Sequence, residues 1–317
     1  MSSGFAFVFP GQGSQAVGML DAWGDHAAVR EAVAEASDAL GEDVGALIHN
    51  GPKEALALTT NTQPVMLVAG VAAYRAWLAE GGAVPSVVAG HSLGEYSALV
   101  AAGVLTLAQA APLVRFRAAA MQSAVPVGVG AMAAILGLAS DQVIKGCQDA
   151  TAFFEAGSAD VVEAVNFNDP MQTVIAGSKA GVDKACEVLK AMGAKRALPL
   201  PVSAPFHSSL MKPAAEQLRE RLAETAFATP QISVLNNIDV QVETDAARIR
   251  DALVRQAFGP VRWVECVRHI KTMGIAQVVE CGPGKVLAGL TKRIDAELTG
   301  LAMYDPSTLA DVKGALA

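Results

Sequence analysis

Cysteine is scarce in this chain of 317 residues, which has only Cys147, Cys186, Cys266 and Cys281. No two of them form a C-x-x-C pair or the spacing of a zinc site, so we expect no metal centre. The thiols are expected to be reduced, as in a cytoplasmic protein. The sequence also lacks a basic segment followed by an apolar run at its start, so we predict no secretory leader.

Basic residues are fewer than acidic ones, 24 against 31, which gives a net charge of −7 at pH 7. This balance is not that of a nucleic-acid-binding protein, and we predict no nucleic acid partner. The charge is unevenly spread, with a net −10 over residues 1–178 and a net +3 over residues 179–317. A positive surface is therefore expected in the second part of the chain.

Charged residues are absent from two long runs, residues 96–114 and residues 118–140. Both runs contain glycine, proline and glutamine and are rich in alanine, which has little tendency to enter a membrane. We predict buried core elements and no membrane helix. With 52% hydrophobic residues the chain can form a sizeable core and is not disordered.

Strand and helix patterns alternate in the first part of the chain. The apolar runs at residues 5–9 and 86–90 predict buried strands, whereas residues 25–40 and 64–80 predict helices. This alternation is typical of an α/β fold with a parallel sheet covered on both faces.

The middle of the chain has a different pattern. Predicted strands and helices follow one another in the order βαββαβ, which is typical of a ferredoxin-like unit. We predict an inserted subdomain at residues 127–198, with residues 1–126 and 199–317 forming the larger α/β domain.

Gly90-His91-Ser92-Leu93-Gly94 matches G-x-S-x-G, the nucleophile elbow. In such a turn the serine hydroxyl projects from the sheet, and the Leu93 N–H at a helix N-terminus can stabilise an oxyanion. An ordinary glycine-bounded turn with a capping serine is the alternative. The preceding apolar strand and the following helix pattern favour a nucleophile.

A serine nucleophile needs a general base, and the chain has five histidines. His26 and His49 lie in polar segments, His269 in a helical surface pattern, and His91 is expected to be a packed neighbour on the turn. His207 lies in a non-repetitive segment downstream of the serine, as the Ser-then-His chain order requires. It is the favoured base.

Arg115 and Arg117 stand between the two uncharged runs, so both are predicted to be partly buried. A buried guanidinium demands an anionic partner. That partner is either a substrate carboxylate held by the bidentate fork or a distant acid such as Glu95. Pro112 can kink this helix.

Two glycine-rich segments imitate nucleotide sites. Residues 5–16 give a strand followed by G-x-G-x-x-A, but the acid expected about 20 residues later on a second strand is missing. Residues 282–285 lack the spacing of a phosphate-binding loop. We therefore predict no nucleotide cofactor.

Together these segments resemble the malonyl-CoA:acyl carrier protein transacylases, the acyltransferases of bacterial fatty acid synthesis. The matching pieces occur in the family's order, at Phe9–Gln15, Thr62–Pro64, Gly90–Glu95, Arg117, Val165–Asn168, Pro205–Ser208, Val254–Gln256 and Glu280–Gly284. The resemblance implies an α/β-hydrolase-like domain with a ferredoxin-like insertion.

The resemblance also implies roles for the catalytic residues. Ser92 corresponds to the acylated nucleophile and His207 to its base, with the Gln12 and Leu93 amides as oxyanion donors. The main-chain carbonyl of Gln256 corresponds to the group that orients the histidine in place of a triad acid.

For the substrate, Arg117 corresponds to the clamp on the malonyl carboxylate, with Gln63 close by. Asn166 and Asn168 correspond to asparagines of the thioester cleft. Phe206 corresponds to the bulky residue of the malonyl-selective members.

The implied reaction moves a malonyl group from malonyl-CoA to the phosphopantetheine thiol of acyl carrier protein through a malonyl-serine intermediate. No cofactor is implied, since the pantetheine belongs to the partner, and the protein is expected to be a monomer. The residues do not separate a fatty acid pathway from a polyketide pathway. A serine esterase or thioesterase, and a binding subunit without catalysis, are the rival interpretations.

Acyl carrier protein is strongly acidic in this system, as the resemblance implies. Two basic clusters are therefore predicted to dock it, the alternative being solvated helix faces. The first cluster is Lys179, Lys184, Lys190, Lys195 and Arg196, and the second is Lys285, Lys292 and Arg293.

Overall fold

The computed structural model describes residues 4–155, 157–202 and 204–317. The prediction of no secretory leader rests partly on residues 1–3, and these residues lie outside the described part. The strands are β1 (Phe5–Phe9), β2 (Val87–Gly90), β3 (Gly130–Leu136), β4 (Val162–Asp169), β5 (Gln172–Ser178), β6 (Arg196–Pro199), β7 (Ser233–Leu235), β8 (Gln277–Cys281) and β9 (Thr299–Met303).

Helices connect and cover these strands. They are α1 (Ala27–Leu40), α2 (Val44–Asn50), α3 (Lys53–Ala57), α4 (Thr59–Ala79), α5 (Gly94–Ala101), α6 (Leu107–Ser123), α7 (Ser140–Ala152), α8 (Lys179–Ala191), α9 (Lys212–Ala223), α10 (Ala246–Phe258), α11 (Trp263–Thr272), α12 (Val286–Ile294) and α13 (Pro306–Leu316). Short 3₁₀ turns lie at residues 21–23 and 209–211.

The larger sheet has the order β7-β2-β1-β8-β9 and is parallel throughout. All five residues of β1 are buried, because an apolar strand at the centre of a parallel sheet is covered on both faces. Its odd-numbered residues pack towards α4 and α5, and its even-numbered residues pack towards α11 and α12. The predicted parallel α/β sheet is confirmed.

The smaller sheet is antiparallel and has the order β4-β5-β3-β6. Side chains alternate along β3, as the two-residue period of a strand requires. Ala133 and Ile135 pack beneath α7 and α8, whereas Met132 packs on the opposite face with Met121 of α6 and with Phe206. This second face of the sheet is turned towards the parallel-sheet lobe.

The two uncharged runs are core elements. They contribute to α5, α6 and β3, and most of their apolar side chains are buried. In the described ranges, no helix has both the length and the apolar character needed to cross a membrane.

Glycine is required twice in the turn between β2 and α5. A Cβ at Gly90 would lie 1.8 Å from the carbonyl carbon of Gly94. A Cβ at Gly94 would lie 2.1 Å from the backbone oxygen of Phe9. The turn therefore nests against the end of β1 only because both side chains are absent.

Replacement of Gly90 by alanine should destabilise the protein by about 3 kcal/mol or more, since backbone rather than a flexible side chain blocks the new methyl group. Gly289→Ala is the matched control, because a Cβ there meets no atom within 4 Å and α12 should gain about 0.5–1 kcal/mol. Denaturant unfolding measures both. A wild-type midpoint for Gly90→Ala would contradict this description of the turn.

Candidate active site

Ser92 lies at the tip of the turn between β2 and α5. Its φ of 53° is in the left-handed region, where a residue with a side chain is strained. The side chain of Asn237 holds this backbone in place: its Oδ1 accepts from the Ser92 N–H at 2.8 Å, and its Nδ2 donates to the Gly90 carbonyl at 2.8 Å. Sequence reasoning missed Asn237, which follows β7, the parallel neighbour of β2.

His207 reaches the nucleophile from a loop that precedes the 3₁₀ turn at residues 209–211. Its Nε2 lies 2.7 Å from Ser92 Oγ, and its Nδ1 lies 2.7 Å from the main-chain oxygen of Gln256. A carbonyl can only accept, so Nδ1 carries the ring proton and Nε2 is free to take the serine proton. Gln256 is in the last turn of α10, where carbonyls lack a helical partner.

Burial, and after it the nearby positive charge of Arg117, lowers the pKa of His207 to about 3. The imidazole is consequently neutral near pH 7, which is the state a general base requires.

Arg117 points into the protein from α6 and is only 1% exposed. Its Nη1 donates to Gln63 Oε1 at 2.6 Å, and its Nη2 donates to Gln256 Oε1 at 3.1 Å and to Ser92 Oγ at 3.3 Å. Among the described residues no carboxylate lies within 4.0 Å of this guanidinium. Glu95, the acid considered from the sequence, bonds instead to Gln256 and Asn237.

Arg115 is partly buried, as predicted, with 25% of its side chain exposed, but it does not enter the site with Arg117. It forms a bidentate pair with Glu42 at 2.8 and 2.6 Å near the surface. Pro112 lies inside α6, which continues through it. Arg115 and Arg117 are two positions apart, and on a helix that spacing sends their side chains in different directions.

The backbone amides of Gln12, which lines the same cleft as Ser92, and of Leu93, which follows Ser92, are the candidate oxyanion donors. Gln12 follows β1, and its side chain is fixed by a bond of 2.7 Å from Thr59 Oγ1. Leu93 follows the nucleophile at the start of α5. Within the described ranges, neither backbone N–H donates to any acceptor. Unpaired amides at a helix N-terminus and a facing loop can receive negative charge.

A cleft of about 260 Å³ lies between the two sheets and opens onto Ser92. The predicted residues Gln12, Gln63, Ser92, Arg117, Asn166, Asn168, Phe206 and His207 line it, together with His91, Gln172 and an apolar wall of Met121, Met132, Ala134, Val174, Leu200 and Val202. Leu93 and Gln256 are not among the lining residues and are almost fully buried.

Three of the other histidines, His26, His49 and His91, make contacts of their own. His91 also lines the cleft, which the sequence did not indicate, and its Nε2 lies 2.8 Å from Asn168 Oδ1. His26 and His49 pair with Glu80 and Asp21. In the part of the chain that the structure describes, no cluster of His, Cys, Asp or Glu could hold a metal ion.

The geometry is that of nucleophilic acyl transfer. A serine hydroxyl contacts a neutral, oriented imidazole, two unpaired amides lie beside it, and a buried cation lies 3.3 Å from the nucleophile. The cation distinguishes this site from a general serine hydrolase, because it suits an acyl group that carries its own carboxylate.

Comparisons with known proteins agree over nearly the whole chain. The profile of the acyl transferase domain family matches residues 6–297. The malonyl CoA-acyl carrier protein transacylase of Escherichia coli (strain K12) is 53% identical over 307 residues, which are 96% of this chain and 97% of that protein.

Solved structures agree as well. The acyl-carrier-protein S-malonyltransferase of Burkholderia pseudomallei 1710b is 65% identical, with a TM-score of 0.95 over 98% of this chain and 99% of that one. A malonyl-transacylase in complex with a type II PKS acyl-carrier protein is 49% identical, with a TM-score of 0.95 over 99% of this chain and 100% of that one.

The low pKa of His207 predicts that the rate of Ser92 acylation has no inflection at about pH 6.5, the ordinary histidine value. The base stays deprotonated throughout that range, so acidification to about pH 5 should not disable it. Stopped-flow acylation between pH 5 and 9 measures this. An inflection near 6.5 that persists in Glu95→Gln would contradict it, since Glu95 itself has a pKa of about 7.

Proposed function

The chain belongs to the acyl transferase domain family, and on that premise we propose that it transfers malonyl from malonyl-CoA to the phosphopantetheine thiol of acyl carrier protein in fatty acid synthesis. The relatives named above are malonyl transferases that act with acyl carrier protein. The observation that carries the proposal is Arg117, a buried cation beside Ser92 with no carboxylate partner among the described residues.

The first half-reaction loads the serine. His207 Nε2 takes the proton of Ser92 Oγ as the oxygen attacks the thioester carbonyl of malonyl-CoA. The backbone amides of Gln12 and Leu93 stabilise the oxyanion. Collapse breaks the C–S bond, the imidazolium returns its proton to the departing thiolate, and CoA leaves with malonyl-Ser92 formed.

The second half-reaction reverses these roles. The phosphopantetheine thiol enters the same cleft and gives its proton to His207 as its sulfur attacks the malonyl ester. Collapse expels Ser92 Oγ, which recovers a proton from the imidazolium. One covalent intermediate shared by two thiol substrates gives ping-pong kinetics, and no cofactor of the enzyme takes part.

Arg117 selects the acyl group. In a malonyl thioester one methylene carbon joins the carboxylate to the reacting carbonyl. A cation next to the nucleophile can therefore bind the carboxylate while the carbonyl faces Ser92. Phe206 lines the cleft beside His207 and limits room at the α-carbon, whereas Asn166 and Asn168 offer polar contacts to the thioester arm. A general esterase or thioesterase has no use for such a buried cation.

The finer architecture belongs to the same proposal. Residues 1–126 and 199–317 form an α/β-hydrolase-like domain, which the elbow at the end of a parallel strand supports. Residues 127–198 form a ferredoxin-like subdomain, which the order β4-β5-β3-β6 supports, since the first and third strands of the βαββαβ unit lie at the centre. We also propose a cytoplasmic monomer, and the four free cysteines fit that compartment.

The carrier protein is proposed to dock beside α12. Lys285 and Lys292 are exposed, and no described acid pairs with either. Arg293 is a less suitable contact than the sequence suggested, because its Nε donates to Asp169 at the end of β4 at 2.9 Å and so ties α12 to the smaller sheet. Lys179 and Lys184 are likewise paired, with Asp183 and Glu187.

Brief exposure of the protein to malonyl-CoA should add one malonyl group, located on Ser92 by peptide mass spectrometry. Ser92→Ala should remain unmodified, because no other described nucleophile that lines the cleft contacts a base. Addition of the carrier protein should then remove the group from the serine and place it on pantetheine. A wild-type protein that stays unmodified overturns the proposed function.

Arg117→Ala should reduce the preference for malonyl-CoA over acetyl-CoA by about 100-fold, since a charge-assisted bidentate contact is lost. Competition between the two donors measures the ratio. Arg115→Ala is the matched control, because this arginine sits on the same helix but pairs with Glu42, and its ratio should equal that of the wild type. Unchanged malonyl preference in Arg117→Ala would refute the clamp.

The double change Lys285→Glu and Lys292→Glu should raise the KM for acyl carrier protein about tenfold while the rate of Ser92 malonylation stays unchanged. Lys53→Glu combined with Arg30→Glu, at two exposed basic residues far from α12 in the sequence, controls for the same change in net charge. An equal loss in both half-reactions, or no loss in either, would place the docking surface elsewhere.

A further inference from the structure

Glu95 is a buried acid for which the proposed mechanism has no use. It lies in the first turn of α5, directly behind the nucleophile, and is 2% exposed. It does not line the cleft, and its carboxylate faces Gln256 and Asn237 instead. One of its oxygens, Oε2, accepts two hydrogen bonds of 2.9 Å, from the Gln256 side chain and from the Asn237 backbone N–H.

Gln256 is the more consequential of these two partners. Its main-chain oxygen accepts from His207, and its side-chain Oε1 accepts from Arg117 at 3.1 Å. Its side-chain Nε2 donates both to Glu95 and to the Ser92 carbonyl, at 2.9 and 3.1 Å. The residue therefore touches the base, the cation and the nucleophile's backbone at once.

The Gln256 amide can satisfy its neighbours in one orientation only. A flipped amide would turn its NH₂ group towards the Arg117 guanidinium, which has donors alone. It would also turn its oxygen towards Glu95, which has acceptors alone when it is ionised. An acceptor at position 95 and a donor at position 117 thus fix the amide between them.

Asn237 extends the same arrangement to the elbow. Its backbone donates to Glu95, while its side chain holds the Ser92 N–H and the Gly90 carbonyl. Glu95 is consequently bonded to both residues that hold the nucleophile and the groups around it.

We propose that Glu95 is a positioning residue for acyl selection: its Oε2 fixes the Gln256 amide, which aims Arg117 at the acyl group. The inference rests on the proposed function, because it concerns the choice between malonyl and uncharged acyl groups. Burial raises the pKa of Glu95 to about 7, against the opposing effects of the Asn237 and Gln256 hydrogen bonds and of Arg117. The two hydrogen bonds are made to an oxygen that accepts in either protonation state.

The test compares Glu95→Ala with Glu95→Gln. Glu95→Ala removes the acceptor, so the malonyl-to-acetyl ratio of kcat/KM, expressed per acylatable Ser92, should fall about tenfold through a higher KM for malonyl-CoA. Glu95→Gln keeps a carbonyl that can accept from both donors and should stay within about threefold of the wild type. A residue that only stabilised the fold would lower the acylatable fraction and leave this ratio unchanged.

Glu280→Ala is the matched control, because Glu280 is also a buried carboxylate but bonds to the Ala288 N–H at the start of α12. It should lower the unfolding temperature without moving the ratio. Should Glu95→Ala fail to fold, Glu95→Asp carries the test, since its shorter side chain cannot reach both donors, and it should lower the ratio in the same direction.

A folded Glu95→Ala or Glu95→Asp protein with the wild-type ratio would overturn the inference, as would a Glu95→Gln protein as impaired as Glu95→Ala. These outcomes leave the proposed function intact as long as the wild-type Ser92 is malonylated. A wild-type protein without malonyl-Ser92 would overturn both.

Discussion

The rest of the site depends on one constraint, the burial of the positively charged Arg117 guanidinium. A cation removed from water needs compensation, and the described residues supply the amide oxygens of Gln63 and Gln256, the Ser92 hydroxyl and the face of the Tyr96 ring. Neutral partners orient the charge without cancelling it. The positive charge of Arg117 is therefore available to bind an acyl group that carries its own carboxylate.

This constraint also accounts for the base. His207 is oriented by a main-chain carbonyl from the last turn of α10, where the carbonyls have no hydrogen-bond partner within the helix. A triad carboxylate in the same place would lie in the field of Arg117 and compete with the substrate for it. A neutral dyad of Ser92 and His207 lets one small cleft contain both a strong nucleophile and an anion-binding cation.

Much of the site can be predicted from the sequence because its signals are local. Ser92 lies between two glycines that the turn requires, and Arg117 is a charged residue between two long uncharged runs. The contacts of Glu95 and Asn237 are not local, since they join residues more than 140 positions apart. The side on which Arg115 emerges depends on the phase of α6, and the pairing of Arg293 with Asp169 depends on how the two sheets meet.

The most direct measurement is a crystal structure of the malonyl-Ser92 intermediate, formed by soaking crystals of the wild-type protein in malonyl-CoA without acyl carrier protein to accept the group. Both oxygens of the malonyl carboxylate should lie about 3 Å from the guanidinium nitrogens of Arg117. A carboxylate that points towards solvent, with Arg117 still bonded only to Gln63 and Gln256, would contradict it.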